Sequence, residues 1–172
     1  MKEPSFSVHA VGIVGMGSLG GSFAKAIHAR EEHCHIYCTD QSMEALLLAE
    51  SDGLTDDFLD RSAAHGSDLI LLTDGAAANA AWLDECACAL RPGTVVANCG
   101  GSVAEGQRTY LAERDIIYVQ AESSAFAQCG DYSASGTEAF KGAKLHMTAV
   151  FSPELREGLK EFFLSLGFTV VQ

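Results

Sequence analysis

The chain has 172 residues and carries 11 Lys and Arg against 23 Asp and Glu, a formal net charge of −12. Hydrophobic residues make up 48% and charged residues 20%, the balance of an ordinary globular domain, which excludes a largely disordered chain. The acidity excludes a nucleic-acid phosphate backbone as partner, and no apolar run approaches the roughly 20 residues that span a bilayer. The first residues, MKEPSFSVHAVG, lack the apolar stretch of a signal peptide, so the expectation is a soluble cytoplasmic protein. The length suits one domain over residues 1–172. An anionic ligand finds no broad attraction on such a chain and must be held locally, by backbone N–H groups or a single arginine.

Strand and helix patterns alternate along the chain. Residues 8–15 (VHAVGIVG) read as a buried strand and 18–30 as a helix, with Leu19, Phe23, Ala26 and Ile27 at helical spacing. Residues 35–39 (HIYCT) read as a second strand, 41–53 as a helix stopped by Gly53, and 67–73 (SDLILLT) as a third strand. A helix over 75–93, closed by Pro92 and Gly93, leads to a fourth strand at 94–99 (TVVANC). A helix over 102–113 leads to a fifth strand at 115–121 (DIIYVQA). Residues 122–142, rich in Ser, Gly and Ala, read as a loop with at most a short helix. A strand over 143–151, a helix over 152–167 and a strand over 168–172 complete the pattern. Ser152, Pro153 and Glu154 fit an N-cap, a proline at the first helical position and a first-turn acid. The class is α/β: a doubly wound, mostly parallel sheet with helices on both faces, which binds ligands at the carboxyl ends of its strands.

The motif of most consequence lies at the first strand-to-helix turn. Gly15, Gly17 and Gly20 form G-x-G-x-x-G after a strand and at the start of a helix, the context of a Rossmann-type dinucleotide site. Gly15 permits the tight turn, Gly17 lets backbone approach a pyrophosphate, and Gly20 lets helix and strand pack closely. The phosphate charge meets the N–H groups at Ser18 and Leu19 and the positive end of the helix dipole. Asp40, 20 residues beyond Gly20, is placed to accept from ribose hydroxyls. Its charge repels a 2′-phosphate, and Gln41 and Ser42 beside it offer no arginine, so NAD is expected over NADP. Thr73, ending the third strand, completes the candidate cofactor set. The alternative is a turn kept for packing, with Asp40 capping the next helix.

Of the six cysteines (Cys34, Cys38, Cys86, Cys88, Cys99 and Cys129) none forms a C-x-x-C pair. Within HCHIYC, strand alternation turns His33 and His35 away from Cys34 and Cys38, so no metal is expected there.

These segments together resemble the nucleotide-binding domain of prephenate and arogenate dehydrogenases. The resemblance runs through GIVGMGSLGGSFAKAI, YCTD, SDLILLT, LRPGTVVANCGGS, SGTEAFKGAKLHMTA and LGFTVV, with Gly136, Phe140, Gly142 and Ala143 the more specific part. It implies oxidation of a cyclohexadienol by NAD or NADP with loss of carbon dioxide, towards tyrosine. Several positions depart from the family. Its Asp-x-x-Ser-x-Lys pattern is replaced by NCGGSV, with Asn98, Gly101 and Val103 in the three places and Ser102 one residue off. Its Gly-Gly-His-Pro, which carries the histidine base, is replaced by QAESS, with Glu122 where the histidine stands. Asp74 and Gly75 stand where the third strand usually meets a proline. A carboxylate is the weaker base near neutrality unless burial raises its pKa, and losing the lysine weakens the case for a dianionic substrate. The family's helical C-terminal domain would begin where this sequence stops. His146, mid-strand in KLHMTA, is expected to be a packed or edge residue.

Two readings follow. In the first, the chain is an NAD-dependent oxidoreductase acting on a small carboxylate, with Glu122 or Ser102 handling the proton. In the second, it binds a dinucleotide without turnover. Association into an oligomer is left open by both.

Overall fold

The computed structural model describes residues 6–30, 32–127, 130–148 and 152–172. In chain order its elements are β1 (Ala10–Val14), α1 (Ser18–His28), β2 (His35–Thr39), α2 (Met43–Ser51), β3 (Asp57–Phe58), α3 (Arg61–Gly66), β4 (Leu69–Leu72), α4 (Ala76–Cys86), β5 (Val95–Asn98), α5 (Glu105–Glu113), β6 (Ile117–Glu122), β7 (Lys144–Thr148), α6 (Pro153–Ser165) and β8 (Val170–Val171). The strands form one sheet in the order β3-β2-β1-β4-β5-β6-β7-β8.

The sequences AVGIV, LILL and VVAN are buried without interruption. Strands apolar on both faces belong between two layers of helices, and β1, β4 and β5 are the centre of the sheet. Alternate residues serve two cores. Ile13, Leu71 and Ala97 face one that holds Phe23, Phe140 and Phe163, whereas Val14, Leu72 and Val96 face another that holds Leu59, Trp82 and Leu111. In the first core Phe140 stacks on Phe168 at 4.9 Å and meets Phe23 at 4.4 Å, which ties the segment before β7 to α1.

The Ser152 hydroxyl accepts the Leu155 N–H at 3.2 Å ahead of Pro153, as read. The cap of α2 is Ser42, whose hydroxyl accepts the Ala45 N–H at 3.3 Å, and not Asp40, the alternative read for it. Gly53 adopts φ +72 just beyond α2. Three features go beyond the sequence reading. Residues 55–66 contain a two-residue edge strand, β3, and a six-residue helix, α3, both too short for a periodic signal. The helix over 75–93 is shorter than expected: α4 ends at Cys86 in a 3-10 turn, Ala87–Ala89. The sheet also reverses late, since β7 runs antiparallel to β6 while β8 runs parallel to β7. The strand expected over 143–151 is observed to Thr148, and its remainder lies outside the described residues.

Candidate functional site

The glycine turn joins β1 to α1 at the carboxyl edge of the central strands. Gly15 has φ +95, a conformation open to glycine, and its N–H donates to Thr39 O at 2.8 Å. A Cβ on Gly20 would overlap the Gly15 carbonyl oxygen and lie 2.8 Å from both Gly15 C and Thr73 Oγ1. Gly20 therefore sets how closely α1 approaches the turn. Thr73 braces the same turn from β4: its hydroxyl lies 2.8 Å from Val14 O and 2.9 Å from Gly15 O and shares its proton between them. Ser18 and Leu19 are buried in the first turn of α1.

Asp40, half-buried after β2, reaches the turn directly. Its Oδ2 accepts the Met16 N–H at 2.6 Å and its Oδ1 accepts the Ser42 N–H at 2.6 Å. The glycine turn and the acid are thus one unit. Each carboxylate oxygen keeps a further lone pair for a hydroxyl donor.

The start of α1 carries no acidic residue in its first turn, and its N-cap is Gly17, which has no side chain to cap it. The Ser18 N–H is met by a carbonyl from far along the chain, Gly130 O at 3.2 Å. The segment behind Gly130 is laid along α1. Tyr132 OH donates to Asp52 Oδ2 at 2.5 Å, Lys25 Nζ donates to Ser135 O at 3.1 Å, and Gly136 N donates to the Ser22 hydroxyl at 3.1 Å. Burial and the facing Asp52 carboxylate raise the Tyr132 phenol well above its ordinary pKa.

Beyond β5 lies a polar cluster that the sequence did not announce. The two hydrogens of the fully buried Asn98 amide nitrogen are shared among three acceptors, Gly101 O, Tyr118 OH at 3.1 Å and Gln120 Oε1 at 3.2 Å, while its own oxygen accepts the Gly100 N–H at 3.1 Å. Tyr118 in turn donates to Gln120 at 2.7 Å, and burial raises its pKa. Register places Asn98 beside Gln120 on adjacent strands. A single sequence shows each residue, but only strand pairing brings them together.

Glu122 ends β6 exposed, opposite exposed His146 of β7. Ser102 is exposed in the loop after β5. Neither side chain is held by a hydrogen bond among the described residues. The cofactor candidates are therefore gathered at one turn, whereas Glu122 and Ser102 sit on solvated ends of separate elements. His33 and His35 contact edge to face at 4.8 Å on the open side of β2, while Cys34 and Cys38 point into the core.

A cavity of about 160 Å³ opens between the turn, Asp40 and one face of α4. Ala78, Ala81, Trp82 and Glu85 form that face. Their i, i+3, i+4, i+7 spacing was the available signal for it, but spacing alone does not say what the face meets.

Comparison by sequence finds no matching family model and no match among curated proteins. Solved structures do match. The prephenate dehydrogenase of A. aeolicus, crystallised with hydroxyphenyl propionate and NAD+, aligns with a TM-score of 0.77 at 20% identity, over 99% of this chain and 61% of its own. The arogenate dehydrogenase of Synechocystis gives 0.78 at 18% identity, over 95% and 59%. The fold is that of the prephenate and arogenate dehydrogenases. A 3-hydroxyisobutyrate dehydrogenase from Salmonella typhimurium also aligns, with a TM-score of 0.69 at 19% identity. The chain spans about three-fifths of the length of the prephenate and arogenate dehydrogenases it matches. No helix among the described residues is long and apolar enough to cross a membrane.

Proposed function

We propose that the chain binds NAD at the β1–α1 turn and belongs to an oxidoreductase of a small carboxylate substrate, acting in the cytoplasm. The observation that carries this reading is the 2.6 Å hydrogen bond from Met16 N to Asp40. It fixes a carboxylate at the rim of a helix N-terminus that has glycine in place of a capping side chain. The residues present fit a dinucleotide: a pyrophosphate is taken by the N–H groups at Ser18 and Leu19, in the place of the Gly130 carbonyl. A Cβ on Gly17 would have only Gly130 O near it, at 3.4 Å, so backbone can approach the phosphates there. Gly15 and Gly20 shape the turn, Thr73 braces it, and Asp40 accepts from the ribose hydroxyls and repels a 2′-phosphate. When bound, NAD supplies a hydride acceptor.

Glu122 and Ser102 are the residues proposed to handle the substrate proton, and prephenate or arogenate, on the route to tyrosine, is the substrate class the fold suggests. A second reading, dinucleotide binding without turnover, is favoured by one observation: both residues are exposed on the ends of separate elements, with no shared partner that would hold them at a substrate. Calorimetric titration with NAD and NADP tests the binding. Saturable heat with NAD and at least tenfold weaker binding of NADP is expected. Heat with neither refutes the proposal. Turnover of prephenate or arogenate with NAD then decides between enzyme and binding module.

A further inference from the structure

Two glycines adjoin in the first half of α1, and the turn accounts for only one of them. Gly20 meets the Gly15 carbonyl, but a Cβ on Gly21 would lie 2.7 Å from Ser135 Oγ and 2.9 Å from Tyr132 Cδ2. Gly21 therefore lets residues 130–136 lie directly against α1. That strap is tied at several points. Tyr132 is buried, its hydroxyl donates to the Asp52 carboxylate at 2.5 Å, and Lys25 Nζ stands 4.8 Å from its ring centroid. The Gly136 N–H donates to the Ser22 hydroxyl and Lys25 Nζ donates to Ser135 O, each at 3.1 Å. The first residue of the strap ends on the phosphate position. Gly130 O accepts the Ser18 N–H at 3.2 Å and would stand 3.4 Å from a Cβ on Gly17. A carbonyl oxygen and a phosphate oxygen are both acceptors, and one N–H cannot serve both at full strength. Asp131 follows, with its carboxylate accepting the Ser133 N–H at 3.0 Å, and brings a negative charge to the same end of the strap. The placement of the carbonyl also requires glycine: Gly130 has φ +122, and a Cβ there would lie 3.1 Å from Ala134 Cβ.

We propose that residues 130–136 regulate the cofactor site: with Tyr132 tied to Asp52, the Gly130 carbonyl occupies the pyrophosphate position, and a dinucleotide binds only when Gly130 withdraws. The proposal rests on the dinucleotide reading of the turn. The apparent affinity is then the intrinsic affinity reduced by the fraction of chains whose strap is open. Closure and phosphate binding exclude each other, so a change that loosens the strap tightens NAD binding. A strap that helped to hold the dinucleotide would give the opposite sign.

The test is a calorimetric titration of the full chain, Tyr132→Phe and Gly130→Ala with NAD, together with hydrogen–deuterium exchange of residues 130–136 with and without NAD. Tyr132→Phe keeps the packed ring and loses the hydrogen bond to Asp52. Gly130→Ala disfavours the closed backbone and leaves that hydrogen bond in place. Each should tighten NAD binding by roughly fivefold, the scale of one net hydrogen bond, with circular dichroism confirming that each variant is folded. Exchange at 130–136 should quicken when NAD saturates the parent chain. Unchanged or weaker NAD binding by either folded variant, or exchange that NAD leaves unaltered or slows, overturns the strap and leaves the dinucleotide reading standing. Absence of heat with NAD from the parent and from both variants overturns both.

Discussion

Replacing Gly17 and Gly20 one at a time by alanine separates packing from binding at the turn. A Cβ at Gly20 falls on the Gly15 carbonyl oxygen and within 2.8 Å of Gly15 C, and backbone cannot swing aside as a side-chain tip can. Relief requires α1 to back away from β1, which loosens Phe23, Ala24 and Ile27 in the core. Overpacking of this kind costs roughly 1–3 kcal/mol, and contact with backbone puts Gly20→Ala at the upper end, about 3 kcal/mol. At roughly 2–4 °C per kcal/mol for a chain of this size, Tm should fall by roughly 6–12 °C. Gly17 differs. Its φ of −78 suits alanine, and the nearest atom to the new Cβ is Gly130 O at 3.4 Å, an ordinary contact. Its stability should stay within about 1 kcal/mol of the parent, because the lost chain freedom of the unfolded state offsets small clashes. Its NAD affinity should fall at least tenfold, since the methyl group stands where the phosphates approach. Urea and thermal unfolding, with calorimetry for NAD, measure both. Equal destabilisation by the two substitutions, or a Gly20→Ala protein as stable as the parent, would refute the division of roles.

Other expectations concern groups away from the turn. Burial pushes the Cys34 thiol up to about 11 and the Cys38 thiol up to about 12, and raises Cys99 further, while Cys88 is exposed. Native-state alkylation near neutral pH with peptide mapping should therefore mark Cys88 first among the described cysteines, and Cys38 and Cys99 only on unfolding. The same raised values, with that of Tyr132, make folding stability sensitive to alkali. The contribution is complete below the unfolded thiol value near 9.0 and is lost as pH climbs towards the folded values. The urea midpoint should hold steady from pH 7 to 8 and fall between pH 9 and 11, and a flat midpoint over that range would contradict this. Asn98→Ala removes a buried amide that bonds Gly101 O, the Gly100 N–H, Tyr118 and Gln120 and should cost about 1–3 kcal/mol in urea unfolding. A loss under about 0.5 kcal/mol would show that water replaces the amide.

The sequence determined the turn by itself. Gly15, Gly17 and Gly20 act through backbone geometry within six residues, and Asp40 is carried to them because β1 and β2 pair in register, Val14 beside Thr39. The buried runs AVGIV, LILL and VVAN likewise announced central strands, since a strand apolar on both faces has few other places to go. What lay beyond the sequence depends on partners far apart in the chain. The two residues of β3 become a strand only because β2 offers a free edge. β7 runs antiparallel because the long segment after β6, laid along α1, returns the chain from the opposite end. Gly130 meets Ser18, and Trp82 and Glu85 meet Asp40 around one cavity, for the same reason. Local patterns encode what a backbone prefers over a few residues. Which distant surfaces then touch is decided by the packing of the whole sheet and its helices, and the candidate binding groups of this protein lie where those surfaces converge.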